Sequence, residues 1–348
     1  MNNLWRRIGK RKSSSSKSSS DKNATQNKLV LLGNPAKRFD WEDVKRANWE
    51  VLGEGTVGTT YKVDLEDGTT TVVVKRLKDV VLSAEDFQDA VEALGAMDHE
   101  NLLPLRGYYY SKDQKLLLYD YMPLGSLSDR LHFEYDEWRR PSLSWEVRLS
   151  IALGAARAIE HLHAQRRPND HHGNIKSSNV LLTPSYEARV SDCGLALLAR
   201  SSQSGGAHPL LADVYGFGVF LLELLTGKRH TLPRLWEEGV DLPAWVQSVA
   251  REEGTAQVLD AELTELWDVA MRCVSSNPHR RPWMSIIRKK IEELCSHVGQ
   301  QGGDSQSDKV SEGTDCESPS SLLIPSPDED RDSQLGQFSE LNNDMYTR

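Results

Sequence analysis

The chain has 348 residues, of which 38% are hydrophobic, and a net charge of −9. This length allows one large domain or two smaller ones with a sizeable core. It contains no run of 18 apolar residues, so we expect no membrane-spanning helix. The four cysteines are scattered and form no C-x-x-C pair. This suits a reducing compartment and argues against disulfides or a zinc site.

Charge is distributed unevenly along the chain. Residues 1–38 carry ten Lys or Arg and one acid, whereas residues 299–348 carry three Lys or Arg and eleven acids. Both ends are polar and serine-rich, which is typical of disordered segments. The basic arm is suited to an anionic membrane surface. A nucleic-acid-binding or nuclear-localisation arm and a plain solvated leader remain alternatives.

A glycine-rich loop is the first motif of the central part. Gly53, Gly55 and Gly58 have G-x-G-x-x-G spacing, which lets backbone N–H groups approach nucleotide phosphates without a Cβ in the way. A dinucleotide fold would need a helix directly after the glycines. A β-rich run continues instead to a hairpin turn at Asp67-Gly68, which favours a kinase-type loop.

The next predicted strand ends at Lys75 and matches the kinase V-A-I-K strand, so we expect Lys75 to bind nucleotide phosphates. A predicted helix follows, with Ser83 as N-cap and Asp86 three residues later. In a working kinase this helix supplies a glutamate that pairs with the lysine. That position falls on Ala90, so we expect Lys75 to lack its usual partner.

Residues 103–110 and 115–121 predict a hairpin that leads into a hinge. We expect backbone groups of Asp120 and Met122 to bind the adenine edge, with Tyr119 behind it. Two helical patterns dominate the second half. One runs from Ser144 to His163, and the other from Val214 to Thr226.

Two short segments carry the residues expected to perform the chemistry, one at residues 172–179 and one at residues 192–194. Their spacing corresponds to H-R-D-L-x-x-x-N and D-F-G, in which the first Asp is the catalytic base and the Asn and second Asp bind magnesium. Asn179 and Asp192 therefore occupy the metal positions. Asn174 replaces the base, and an amide has no useful basicity. We predict Lys176 as the second catalytic-loop residue.

Three further departures accompany the lost base. Gly173 stands at the arginine position, and Cys193 replaces the D-F-G phenylalanine, so we expect a loosely filled interior there. Only eighteen residues separate Gly194 from Asp213, and they contain no A-P-E motif. Without that motif Arg281 has no acidic partner there, and we expect it to be exposed or paired elsewhere. We expect Asp213 to bond the catalytic-loop backbone.

Residues 39–298 resemble plant leucine-rich-repeat receptor-like protein kinases of the group whose catalytic loop is H-G-N-I-K-S-S-N. The resemblance covers the kinase-like domain; residues 1–38 are similar to the juxtamembrane segment of that group. It implies an α+β, bilobal protein-kinase-like fold, with a small β-rich N-lobe at about 47–121 and a larger helical C-lobe at about 122–298.

The resemblance implies ATP and Mg²⁺ as cofactors, and other receptor-like kinases or signalling proteins as partners. It implies a cytoplasmic location, at the inner face of the plasma membrane if residues 1–38 bind there. We expect no nucleic-acid partner and no metal other than Mg²⁺. The predicted function is that of a receptor-like pseudokinase acting as a scaffold or allosteric partner. The alternative is a weakly active serine/threonine kinase.

Overall fold

The computed structural model describes residues 28–33, 39–132, 143–165, 171–198, 208–229, 241–253 and 261–301. These residues form a β-rich N-lobe followed by a helical C-lobe, as the sequence predicts. Residues 302–348, most of the basic arm and residues 199–207 lie outside the described residues.

The N-lobe contains one six-stranded antiparallel sheet with strand order β1-β5-β6-β4-β3-β2. Its strands are β1 (Leu29–Leu31), β2 (Asn48–Glu54), β3 (Gly58–Asp64), β4 (Thr71–Leu77), β5 (Leu105–Tyr110) and β6 (Lys115–Asp120).

Local turn chemistry explains how β3 and β4 pair. Gly68 adopts a φ of +67°, which glycine tolerates without steric cost. The Asp67 carboxylate accepts hydrogen bonds from the backbone N–H groups of Thr69 and Thr70, at 2.9 and 2.8 Å. This turn sets the register of β4 and places Lys75 opposite Leu117 in the middle of the sheet.

Helix α2 (Ala84–Gly95) packs against this sheet. The Ser83 hydroxyl accepts a hydrogen bond from the backbone N–H of Asp86, which confirms the predicted N-cap. Phe87, Ala90 and Val91 are buried on its inner face. Position 90 therefore faces the lobe interior with a methyl group where a working kinase has a carboxylate.

The C-lobe is built mainly from helices. They are α3 (Leu127–Leu131), α4 (Trp145–Ala164), α5 (Leu195–Leu198), α6 (Pro209–Thr226), α7 (Leu242–Glu253), α8 (Ala261–Cys273) and α9 (Met284–Gln301). A short hairpin of β7 (Val180–Leu182) and β8 (Ala188–Val190) follows a 3-10 turn at Ser177–Asn179. This turn and hairpin hold the catalytic segments at the edge of the lobe.

Helix α6 is the centre of the C-lobe core. It ends at Gly227, whose φ of +65° supplies a left-handed C-cap, a position at which glycine is favoured. Among the described residues it is the one helix long and apolar enough to be a candidate membrane span by length and composition alone. However, 56% of that window is buried inside the lobe, which accounts for the apolar sequence by core packing.

The N-lobe begins earlier than predicted. Leu29–Leu31, assigned to the disordered basic arm, form the edge strand β1 and pair with β5. Helix α1 (Trp41–Arg46) then covers the sheet, with the Trp41 ring stacked on Tyr109 at 4.1 Å between centroids. The physical reason is that this short apolar run satisfies the open backbone groups of β5. The boundary at residue 38 is therefore too late by about ten residues.

Candidate functional site

A cleft of about 350 Å³ lies where the N-lobe meets the C-lobe, within the usual range for ligand sites. Nine of the ten predicted site residues line it: Gly53, Gly55, Gly58, Lys75, Met122, Asn174, Lys176, Asn179 and Asp192. Asp120 is not among the lining residues. Its carboxylate accepts hydrogen bonds from Arg106 at 2.6 and 2.9 Å, so only its backbone remains as a predicted adenine contact.

The three loop glycines differ in what surrounds them. A Cβ at Gly53 would meet nothing within 4 Å, and one at Gly55 only the Gly58 carbonyl oxygen at 3.9 Å. A Cβ at Gly58 would instead overlap the backbone of Arg76. Gly53 and Gly55 thus leave space open to the cleft, whereas Gly58 is required for β3 to pack against β4.

Lys75 pairs with Asp192 across the cleft. The Nζ atom of Lys75 donates to Oδ2 of Asp192 at 2.5 Å, and the two side chains are 11% and 12% exposed. The expected loss of the α2 glutamate is confirmed, because Ala90 occupies that place and is buried. In its absence the ammonium group takes the carboxylate that would otherwise be free for a metal ion.

The Asp213 carboxylate holds the backbone of the catalytic loop in place. It accepts hydrogen bonds from the backbone N–H groups of His172 and Gly173, at 2.6 and 2.8 Å. It also bonds Nε2 of His163 at 3.0 Å. Gly173 has a φ of +79°, a conformation that the arginine usual at this position adopts only with strain. The predicted role of Asp213 is confirmed.

His172 is fully buried and in its neutral form. Its Nε2 donates to the Ser191 carbonyl at 2.8 Å, while Nδ1 accepts from the backbone N–H of Asn174 at 3.2 Å. Burial lowers the pKa of His172 below its ordinary value of 6.5. A second proton would sit on Nδ1 and point at the Asn174 N–H.

This arrangement predicts an acid-sensitive fold. The unfolded chain binds a proton at His172 near pH 6.5 and the folded chain only below that, so the free energy of unfolding falls as pH drops below about 6.5. Urea unfolding between pH 7 and pH 5 measures this slope. His172→Gln removes the titrating group and should flatten the slope; an unchanged slope would contradict the assignment.

The two predicted metal ligands, Asn179 and Asp192, already form hydrogen bonds within the protein. The Asn179 side-chain NH₂ group donates to the Asn174 carbonyl at 2.8 Å, and this bond does not use the amide oxygen. Asp192 has a φ of +63° and is bonded by Lys75. Both ligand types suit Mg²⁺, but one of them already neutralises a lysine.

A small cavity of about 20 Å³ lies behind the cleft and is lined by both Tyr119 and Cys193. It has room for about one water molecule. The expectation that Cys193 fills less than a phenylalanine is confirmed. Burial raises the pKa of Cys193 and of Tyr119, so both stay protonated at neutral pH.

Arg281 is paired elsewhere, as expected. Its guanidinium donates to the backbone carbonyls of Ser275 and Leu211, at 2.9 and 2.8 Å, and lies over the Tyr215 ring. A separate groove of about 670 Å³ lies beside this region, lined by residues of α6, α7 and α8, and contains none of the predicted site residues.

Several cleft residues were missed by the sequence reasoning. Ser126 and Asp129 line the cleft and form a capping box on α3. The S-x-x-D spacing could have located them. His163, outside the cleft, was also not predicted to have a role, whereas it supports Asp213.

Two lining residues depart from the kinase pattern at the adenine end of the cleft. Val73 stands at the small-residue position of V-A-I-K, and Thr60 replaces an apolar purine contact; both line the cavity. The phosphate end keeps Lys75 and the open glycines. The residues therefore fit a nucleotide better at its phosphates than at its base.

Comparisons with known proteins agree with this geometry. A family described as protein tyrosine and serine/threonine kinase matches residues 47–211. An Arabidopsis thaliana protein named as a probable inactive receptor kinase is 49% identical over 298 residues, covering 78% of this chain and 45% of the relative. The chain thus spans about half the length of such curated relatives.

Two solved structures are similar. The pseudokinase domain of BIR2, an immune regulator of the RLK/Pelle family, is 30% identical with a TM-score of 0.66, over 82% of this chain and 96% of that one. The maize SIRK1 (sucrose-induced receptor kinase 1) kinase domain bound to AMP-PNP is 34% identical with a TM-score of 0.66, over 76% and 99%. The chain therefore belongs to the plant receptor-like protein kinase family, and its fold is the bilobal protein-kinase fold.

Proposed function

We propose that this chain is a receptor-like pseudokinase that acts as a scaffold or allosteric partner of other receptor-like kinases or signalling proteins. The observation that carries the proposal is the Lys75–Asp192 ion pair, together with a buried Ala90 at the glutamate position. It occupies the two groups that position phosphates and metal in a working kinase. Asn174 adds the loss of the base, which is typically worth about 100- to 10,000-fold.

We expect purified protein given ATP with Mg²⁺ or Mn²⁺ to transfer no more phosphate than its Lys75→Ala variant. Asn174→Asp should not restore transfer, because restoring the base leaves Lys75 without a glutamate partner. The measurement is incorporation of labelled phosphate into the chain and a general protein substrate. Robust wild-type transfer that Lys75→Ala abolishes would instead establish the alternative, a weakly active serine/threonine kinase.

A scaffold acts without phosphoryl transfer, whereas a weakly active kinase depends on it. A complementation experiment in cells can therefore distinguish the two functions. In cells that lack the protein, Lys176→Ala, which removes the second predicted catalytic-loop residue and keeps the Lys75–Asp192 pair, should complement as well as the wild-type chain. A variant that folds and binds ATP normally but fails to complement would point back to catalysis.

A second candidate is nucleotide binding as a structural switch. The cleft volume and its open phosphate end favour this candidate. If Val73 limits the adenine end, Val73→Ala should tighten ATP binding about tenfold, since a pocket discriminates by about this factor for one or two methyl groups. Thermal unfolding at millimolar ATP measures the effect. Val72→Ala, a buried neighbour that does not line the cleft, is the matched control.

Peripheral membrane association would rest on the basic arm. Liposome co-sedimentation of the full chain and of a chain starting at residue 28 tests it, because this truncation keeps β1 in the sheet. We expect binding to anionic vesicles only with the arm, and weaker binding at higher salt. Equal binding by both proteins would remove the idea.

A further inference from the structure

The Lys75–Asp192 ion pair has consequences for the ligand that the cleft accepts. Both side chains are mostly buried, and their charged atoms lie 2.5 Å apart. Buried charges are screened little by solvent, and removing one partner leaves an uncompensated charge at high cost. Each group is therefore the counter-ion of the other.

The pair exists because α2 provides no carboxylate. With a glutamate at position 90, that residue, Lys75 and Asp192 would carry a net charge of −1 and leave Asp192 free for Mg²⁺. With Ala90 packed in the core beside Phe87 and Val91, the two remaining groups sum to zero. Compared with a kinase that has a glutamate at position 90, this cleft has one negative charge fewer at the place where a divalent cation would bind.

Other groups nearby do not replace that charge. Asn174 is an uncharged amide where the base carboxylate would stand, and Asn179 offers an amide oxygen without a charge. The other two carboxylates of the lining already have partners, since Asp129 accepts from the Ser126 hydroxyl at 2.7 Å and Glu54 pairs with Lys78. Lys176 adds a further positive charge to the lining. A cation at Asp192 would thus face two lysines with one carboxylate among these groups.

We propose that Asp192 serves as the counter-ion of Lys75 in place of the missing glutamate, and that the cleft consequently takes a nucleoside triphosphate without Mg²⁺. The inference rests on the nucleotide binding proposed above. The Lys75 ammonium has three N–H donors, so it contacts the triphosphate while it stays paired with Asp192. Mg²⁺ neutralises the phosphates and competes with Lys75 for Asp192, so it adds little to binding.

Calorimetric titration of ATP into the full chain, in EDTA and in millimolar Mg²⁺, tests the proposal. We expect wild-type affinity in EDTA to equal or exceed that in Mg²⁺. Ala90→Glu restores the missing charge, and Mg²⁺ should then tighten ATP binding by about fivefold or more. Ala90→Gln has the same size without the charge and should behave like the wild type.

Since position 90 is buried, Asp192→Asn provides an independent variant. It frees Lys75 and should keep or tighten ATP binding in EDTA. In a metal-dependent site the same change would weaken Mg-ATP binding strongly. A double-mutant cycle of Lys75→Met and Asp192→Asn adds a readout without nucleotide: we expect a coupling of about tenfold in the unfolding equilibrium constant.

Three results would overturn the inference. One is a coupling near zero, and another is wild-type binding that Mg²⁺ tightens as much as in Ala90→Glu; the latter leaves the nucleotide switch standing. The third is no ATP binding in either condition, which also removes the nucleotide switch but leaves the scaffold proposal intact.

Discussion

Asp213→Ala should destabilise the protein by about 3–5 kcal/mol, the range expected when one partner of a buried charged network is removed. Asp213 is 3% exposed and accepts hydrogen bonds from His172 N and Gly173 N, in addition to its contact with His163. Alanine leaves these donors buried without an acceptor. Urea unfolding followed by Trp fluorescence measures the loss.

The matched control is Asp241→Ala in the same lobe. Asp241 is exposed and its side chain caps α7 through the Ala244 N–H at 2.9 Å, so its loss should cost only about 0.5–2 kcal/mol. Amide exchange at residues 172 and 173 should accelerate in Asp213→Ala alone. If both variants lose the same small amount, Asp213 does not hold the catalytic loop.

Asp213 also makes the loop sensitive to strong acid. Burial alone would raise its pKa, but the hydrogen bonds from His163 and from the Gly173 N–H outweigh burial and lower the pKa below 3.8. The stabilisation is therefore complete above about pH 4, and it is lost as pH falls through the folded-state pKa. Asp213→Asn should lack this component while keeping the decline below pH 6.5 that His172 causes.

Local sequence was sufficient for most elements and for the position of the site. The Asp67-Gly68 turn, the Ser83 cap and the Gly227 cap each depend on residues within a few positions, so their geometry follows from composition. The motif spacing also identified Ala90 and Asn174 as losses.

Contacts between segments that are distant along the chain could not be predicted from the sequence. Lys75 and Asp192 are 117 residues apart, and no periodicity or cap reports that one will neutralise the other. The same holds for His163, whose partner Asp213 lies 50 residues further on. The strand Leu29–Leu31 was not predicted for another reason. The basic composition around it favours disorder, whereas its structure is determined by pairing with the open edge of β5.

Gly58→Ala should destabilise the N-lobe by about 1–3 kcal/mol, the usual cost of forcing extra volume into a packed interior. Gly58 pairs with Leu77 at the start of β3. A Cβ there would overlap the Arg76 carbonyl and lie 3.1 Å from Leu77 Cα, and both are backbone atoms of β4. The strands must separate to admit the methyl group, which also moves the adjacent Lys75 away from Asp192.

The other two loop glycines provide matched controls. Gly53→Ala and Gly55→Ala introduce a methyl group into open space at backbone angles that alanine tolerates, so stability should be unchanged or rise by up to about 1 kcal/mol. Urea unfolding and the Lys75–Asp192 coupling, measured in all three variants, separate the two roles. A Gly58 that tolerates alanine as well as Gly53 would mean that its importance lies in phosphate approach, as the sequence motif alone suggests, and not in the pairing of β3 with β4.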